Sequence, residues 1–438
     1  MVISQRSKML ALPGKLDDVP VFNSNSPEVV QNDGILLSTC TPDGKAHPEA
    51  HLNYPLKGRF DIFFHHISNA VLSGDQRTLY IGLIASNPSN HNRVIHILAA
   101  SSYLSQPDAP FIKLPAVADS TSGYVYAGPG DRVMNDFLHE KFNPVWLRKI
   151  EVPDHSYAVI AALPIPVKGL KPPINGRSTL IKLQSDGPVR LACLAMRAKI
   201  DADGSEHIPD LADWSKEIEK GELAKPREAV ATAPGTAGGV VFGRVAAVAI
   251  GSIWKGVLSD EDKGQQLHLR IGDRISFPIS TVEQGTFGTK QIQSAPLVVR
   301  YADTAYAAHG NYGVRYSLKL PLLNVDAVEE VVDVKLQTPF KSDTKTGVLT
   351  FFERPPDRVF FRGSVRIRYD DDEGQKIDKY VHIVQNRGEL GEPLVRMRLE
   401  PGEHKDVQLD LLYPPDSTPP QVLTITASPS PGGQVPED

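Results

Sequence analysis

Strict alternation of apolar and charged side chains runs through the second half of the chain, and it limits the fold more than any other feature. In Val365-Arg366-Ile367-Arg368-Tyr369 the apolar residues point to one face and the arginines to the other, as the two-residue period of a β-strand requires. Asp370-Asp371-Asp372-Glu373-Gly374 then turns the chain, and residues 377–384 return as the second arm of a hairpin. Strand patterns recur at 240–250, 266–271, 275–279, 297–301, 313–323, 328–336, 394–399, 407–412 and 421–426, separated by short Pro- and Gly-containing turns. Strands at such spacing point to a sandwich rather than a parallel α/β sheet.

The first half carries strand patterns at 59–67, 79–85, 94–100, 156–163, 178–184 and 189–200. Two short helices interrupt them. Val133 with Phe137, and Met134 with Leu138, have helical spacing over 131–139, and Asp131 after Gly130 is the expected N-cap. A second helix is expected over 211–223, capped by Asp210 and Asp213 and ended near Pro226.

With 438 residues the chain is too long for one ordinary sandwich and suits two domains. The expected division is an extended N-terminal segment over 1–33, a β-rich domain over 34–224, a linker over 225–239, a β-sandwich over 240–427 and a flexible tail over 428–438. The linker is chosen because 224–239 is poor in large apolar residues. The expected fold class is therefore all-β: two β-sandwich-like domains, with one or two short helices in the N-terminal one.

A net charge of −5 gives no general attraction to nucleic acid, and no Lys/Arg run suggests a polybasic membrane patch. The longest apolar runs, 157–167 and 240–250, are too short for a transmembrane segment and carry Pro164, Pro166 and Arg244. Met1-Val2-Ile3-Ser4-Gln5-Arg6-Ser7-Lys8 lacks the apolar core of a secretory leader. Either the protein is cytoplasmic or the numbering starts after a leader. Two cysteines without a CxxC cannot build a zinc site by themselves. Cys40 and Cys193 could form one disulfide in an exported protein; the favoured expectation is that each is a small buried side chain in its own strand.

Four phrases are familiar as a set: residues 58–66 (Gly-Arg-Phe-Asp-Ile-Phe-Phe-His-His), 103–110 (Tyr-Leu-Ser-Gln-Pro-Asp-Ala-Pro), 126–132 (Tyr-Ala-Gly-Pro-Gly-Asp-Arg) and 412–424, which opens Leu-Tyr-Pro-Pro-Asp. Together they resemble a family of uncharacterised cyanobacterial proteins known only as a domain of unknown function, over nearly the whole chain from Leu10 to Thr426. The resemblance implies an exported, envelope-associated protein, placed in the periplasm, the outer envelope or the extracellular space. It brings no established activity and no catalytic residues.

Histidines are densest at His47, His51, His65 and His66. A divalent-metal site of His47, His51 and His65 is one expectation, although Gly44 and Asn53-Tyr54-Pro55 leave little room for a helix presenting the first two on one face. His65 and His66 are consecutive in a strand and point to opposite faces, so Asp61, Phe63 and His65 share one. The alternative is histidines hydrogen-bonded to brace a loop against a sheet. Asp201-Ala202-Asp203-Gly204 and Asp370–Gly374 could take calcium, but both are also ordinary polar hairpin tips. Tyr126–Asp131 resembles an anion-binding loop only superficially: Asp131 would occupy the same donors, and no Gly-Lys-Ser/Thr follows. Nucleophile elbows and His-Glu-x-x-His are absent.

Trp146, Trp214, Trp254, Tyr124 and Tyr126 could stack on sugar rings or fill cores. Tyr306 and Tyr312 flank small residues that would leave their rings uncovered, which makes them the expected ligand contacts. Arg366 and Arg368, expected to share an exposed sheet surface with Arg396 and Arg398, could meet an acidic polysaccharide. The resulting functional expectation is a non-enzymatic envelope or extracellular protein that binds polysaccharide or another envelope component, such as an envelope protein, or acts structurally. The alternative is a carbohydrate-active enzyme, a hydrolase or lyase, built around His51, Asp61 and His65. A homo-oligomer is a weaker expectation.

Overall fold

Nearly every segment that alternates in sequence is a strand in the computed structural model, which describes residues 1–260, 264–344 and 347–430. Among the described residues the strands form sheets of twelve, eight, five, two and two members, with three short α-helices, Ala70–Ser73, Pro129–Leu138 and Leu211–Lys220. The fold is all-β and sandwich-like. No helix among the described residues is long and apolar enough to cross a membrane.

The longest strand, Ile174–Arg197, organises the first sandwich. Its first half lies between Leu56–Asn69 and Arg93–Leu104; after a bulge between Ser185 and Val189 its second half pairs with Leu79–Asn87 and Gly34–Ser38. A bulge bends a strand and raises its twist, so a single strand serves both layers. Phe60, Ile62 and Phe64 from one layer and Leu36, Ile81 and Leu83 from the other fill the interior between them. Both cysteines are buried and unbridged; Cys193 lies in the long strand, and Cys40 follows a strand rather than lying in one.

The second sandwich faces the eight-stranded sheet against the five-stranded one. The hairpin Val359–Asp370 with Lys376–Asn386 belongs to the larger sheet, with Val365 opposite Val381. Val365, Ile367, Leu318 and Leu409 from that sheet pack with Val332, Val334, Leu423 and Ile425 from the other.

The strands do not respect a division at 225–239. Val2–Arg6 pairs with Val348–Phe352, Lys8–Met9 runs parallel to Arg274–Ile279, and Lys15–Leu16 pairs with Ile253–Val257. Pro20–Ser24 then crosses into the twelve-stranded sheet, between Leu56–Asn69 and Ala246–Ile250. The segment 1–33 is therefore a lace through both halves rather than a lead-in. Conversely, Ala246–Ile250 and Ala295–Arg300 extend the first half's sheet, and Val117–Asp119 pairs with Lys376–Asn386 in the second half. The expected linker has no helix or strand, yet it is tied down: Arg227 bridges Asp303 at 2.7 Å, and Glu228 accepts the backbone N–H of Glu28. Of the expected tail, Ser428 and Pro429 extend the strand Gln421–Pro429, and residues 431–438 lie outside the described residues.

Helix Pro129–Leu138 is the wedge between the halves. Val133, Phe137 and Leu138 join Phe63, Leu180 and Leu412 in one apolar cluster. Gly128, not Asp131, is its N-cap residue. Asp131 sits in the first turn, where it accepts the Ala127 N–H and pairs with His382 of the second sandwich. The other helix is capped as expected, by the reciprocal Asp210–Asp213 box.

Candidate functional site

A cleft opens where the lace, the first sandwich and two loops of the second half meet. Its polar lining comes from five separate stretches: Asn23, Asn25 and Glu28; His65; Arg244; His309 and Tyr312; and Asp416. A few converging polar groups are what fixes a ligand in such a site.

Glu28 and Arg244 are the centre of its charge. The Arg244 guanidinium pairs with Oε2 of Glu28, and its Nε lies 3.6 Å from Oε1 of Glu228. Burial pushes the Glu228 carboxyl up, opposed by Arg244. His65, on the strand Leu56–Asn69, places Nε2 3.7 Å from Glu28 while Nδ1 and the Ser178 hydroxyl are 2.8 Å apart. Burial lowers the His65 imidazole. His309 stacks on Phe242 with centroids 5.1 Å apart and is pushed down to about 4, first by burial, so it is neutral at pH 7. It also borders a second, apolar groove that includes Val241, Phe242, Ile292 and Tyr306.

Asp416 closes the other end. Burial pushes its carboxyl up to about 7, aided by Asp131 and Glu28 and opposed by Arg362 and the Asp131 backbone N–H. The carboxyl reaches this position because two glycines leave room. A Cβ on Gly128 would lie 2.9 Å from Asp416 Oδ2, and one on Gly130 would lie 2.2 Å from the Pro415 ring. Gly128 also has φ +95°, a conformation that side-chain-bearing residues avoid.

The residues expected from the sequence are dispersed. His47 is half-buried, near Glu49; His51 is buried, with Nδ1 2.8 Å from the Ser38 hydroxyl; His65 alone reaches the cleft. Burial lowers His51 to about 4. No three His, Cys, Asp or Glu residues among those described gather to hold a metal ion, so His47, His51 and His65 do not form a common centre. Asp61, Phe63 and His65 do face one way: the first two line a deeper recess that shares Asn23, Ala308 and Tyr312 with the cleft. His51 is not among its lining residues, so the trio His51, Asp61 and His65 is not assembled there.

Both acidic loops are hairpin turns whose carboxylates hold the chain itself. Asp203 accepts the Ser205 N–H and hydroxyl; Asp371 accepts the N–H groups of Glu373 and Gln375. Tyr306 and Tyr312 do not make one platform. Tyr306 is 39% exposed with Arg300 3.7 Å over its ring, whereas Tyr312 turns inward, stacks on Tyr413 and donates its hydroxyl to Ser417 O at 2.9 Å. Trp214 and Trp254 are core residues.

Arg366 and Arg368 are ion-paired rather than free. Arg366 pairs with Asp378 at 2.6 Å; Arg368 shares the wholly buried Asp410 with Arg315. Arg396 lies on the five-stranded sheet, paired with Asp333, so the four arginines do not share a sheet.

A family model described as Protein of unknown function (DUF3370) matches residues 7–427. The chain belongs to this family. No curated protein matches it. Among solved structures it is similar to the PBSX exported protein XepA, at 9% identity over 86% of this chain and 84% of that one, with a TM-score of 0.14. Lac15 from a marine microbial metagenome aligns at 9% identity over 86% of this chain and 57% of its own, with a TM-score of 0.11. The coconut allergen cocosin aligns at 8% over 86% and 84%, with a TM-score of 0.10.

Three of the four phrases that carry the family resemblance reach this cleft or its floor: His65 in the first, Gly128 and Gly130 in the third, Pro415 and Asp416 in the last. The remaining one packs behind, where Tyr103 donates to Asp136 and Arg132 donates to Asp108 O. Glu28, Arg244 and Asp416 carry no mutual spacing that the sequence could reveal. The available hint was that His309 and Asp416 fall inside stretches already notable for other reasons.

Proposed function

We propose that this protein is a non-enzymatic carbohydrate-binding protein of the cell envelope or extracellular space, and that the cleft between its two sandwiches holds the ligand. The observation carrying this reading is the lining itself. Amide, imidazole, carboxyl and guanidinium groups from five stretches converge on one open cleft, the mixed donor and acceptor set that hydroxyl-rich ligands need. The arginine faces are weaker candidates, because Asp378 and Asp410 already neutralise them. Placement in the envelope rests on the family resemblance alone.

A second reading, a glycoside hydrolase or lyase, is favoured by one specific feature. Asp416, whose carboxyl burial pushes up to about 7, and Glu28, paired to Arg244, line the same cleft, and two carboxyl groups in unlike settings are what acid–base glycoside cleavage uses. Calorimetric titration with envelope polysaccharide fragments, run beside an assay for released reducing ends, separates the two. Saturable binding without release supports the binding protein, release supports the enzyme, and neither result supports a purely structural role.

A further inference from the structure

We infer that the cleft selects uncharged, polyhydroxyl sugar units and discriminates against glycans bearing carboxylate or sulfate groups, with Arg244 acting as a positioning residue and not as an anion receptor. This rests on the carbohydrate reading and names its ligand class.

An anionic sugar needs a cation whose hydrogen-bonding edge is available, and arginine is the usual choice because its planar fork matches a carboxylate. Arg244 is the arginine of this lining, and both Glu28 and Glu228 already engage it. A bound carboxylate would have to lie beside both of these acids and share a charge they already offset. The two imidazoles do not compensate. His65 is lowered by burial and His309 to about 4, so neither adds positive charge at neutral pH. Asp416 adds a carboxyl and no cation. What remains suits hydroxyl groups, which both donate and accept: the Asn23 and Asn25 amides, carboxyl oxygens as acceptors, and neutral ring nitrogens. Hydroxyls can bridge such groups without disturbing the Glu28–Arg244–Glu228 arrangement, which then fixes the Glu28 carboxylate as an acceptor.

The test is isothermal titration of the full chain with two sets of oligosaccharides of equal length. Cellohexaose, maltohexaose and mannohexaose form the neutral set; hexagalacturonate and a hyaluronan hexasaccharide form the acidic set. At least one neutral probe should bind about tenfold or more tightly than either acidic one, with little change across a salt series. Glu28→Gln and Glu228→Gln, made separately, each release part of Arg244 and should gain salt-sensitive binding of hexagalacturonate. Should either variant fail to fold, the wild-type comparison still decides. Acidic probes binding as tightly as neutral ones, with affinity fading in salt, would overturn the inference while leaving the carbohydrate reading intact. If no probe of either set binds, both fall.

Discussion

His382 Nε2 lies 2.7 Å from Oδ2 of Asp131, and both side chains have no solvent exposure although 251 residues separate them in sequence. The pair pins the wedge helix to the second sandwich. Removing either partner strands a buried polar group, so Asp131→Ala or His382→Ala should cost roughly 3 kcal/mol. Their double variant should cost less than the sum of the two. Urea denaturation of the four proteins reads this coupling; strict additivity would show that the pair does not join the halves.

Crossing strands make a second expectation. Cleavage of the peptide bonds in 225–239, through an inserted protease site, should leave the two fragments together on gel filtration. Residues 2–16 remain paired to strands of the second half, and 246–250 to Pro20–Ser24 of the first. Separate expression of 1–224 should yield aggregated material with open sheet edges.

Stability should respond to pH through Asp416. Its carboxyl is pushed from 3.8 up to about 7, so between these values the folded chain keeps a proton that the unfolded chain has released. Stability contributed by this group therefore falls as pH rises through that window, by at most about 1.4 kcal/mol per pH unit. His51 and His309, both lowered to about 4, act in the opposite direction. Comparison with Asp416→Asn cancels their effect, and the wild type should lose ground to this variant from pH 4 to pH 7. A difference independent of pH would refute the assignment.

Trp214 has no solvent exposure, and its ring packs so closely on the long strand's neighbour that a Cβ at Gly82 would sit 2.8 Å away. Trp214→Ala should cost about 3–5 kcal/mol through the cavity it leaves. Gly82→Ala should also destabilise, by overpacking, which a thermal melt would register.

Arg366 and Arg368 should matter for stability and not for ligand. The double change to alanine removes the partner of Asp378 and one partner of the buried Asp410. Glycan affinity should stay within about twofold of wild type, measured by the same titration. A large loss would return the arginine face to consideration.

The hairpin at 359–370 and 376–386 was legible because its alternation is long and both arms are neighbours in sequence; Val365 and Ile367 are buried, as their spacing requires. Helix 211–220 was legible for a similar reason, since its capping residues lie within one turn. Lys8–Met9 and Lys15–Leu16 were not, because two residues cannot display a period and their partners lie over two hundred positions away. Asp131 misled for a related reason: its partner is His382, so a residue suited to capping is used elsewhere. The cleft suffered most. Glu28 and Arg244 sit in unremarkable local settings, His65, His309 and Asp416 in stretches notable for other reasons, and only tertiary pairing brings the five together.

Val2 opposite Phe352 and Ser4 opposite Thr350 have a consequence for synthesis on the ribosome. Val2–Arg6 must wait, unpaired, until about 340 further residues have been made. Contacts of such separation slow folding and prolong the life of exposed edges. Until then this strand's unpaired edge is open to the wrong partner, so the sheet that closes the fold is also the one most exposed during its making.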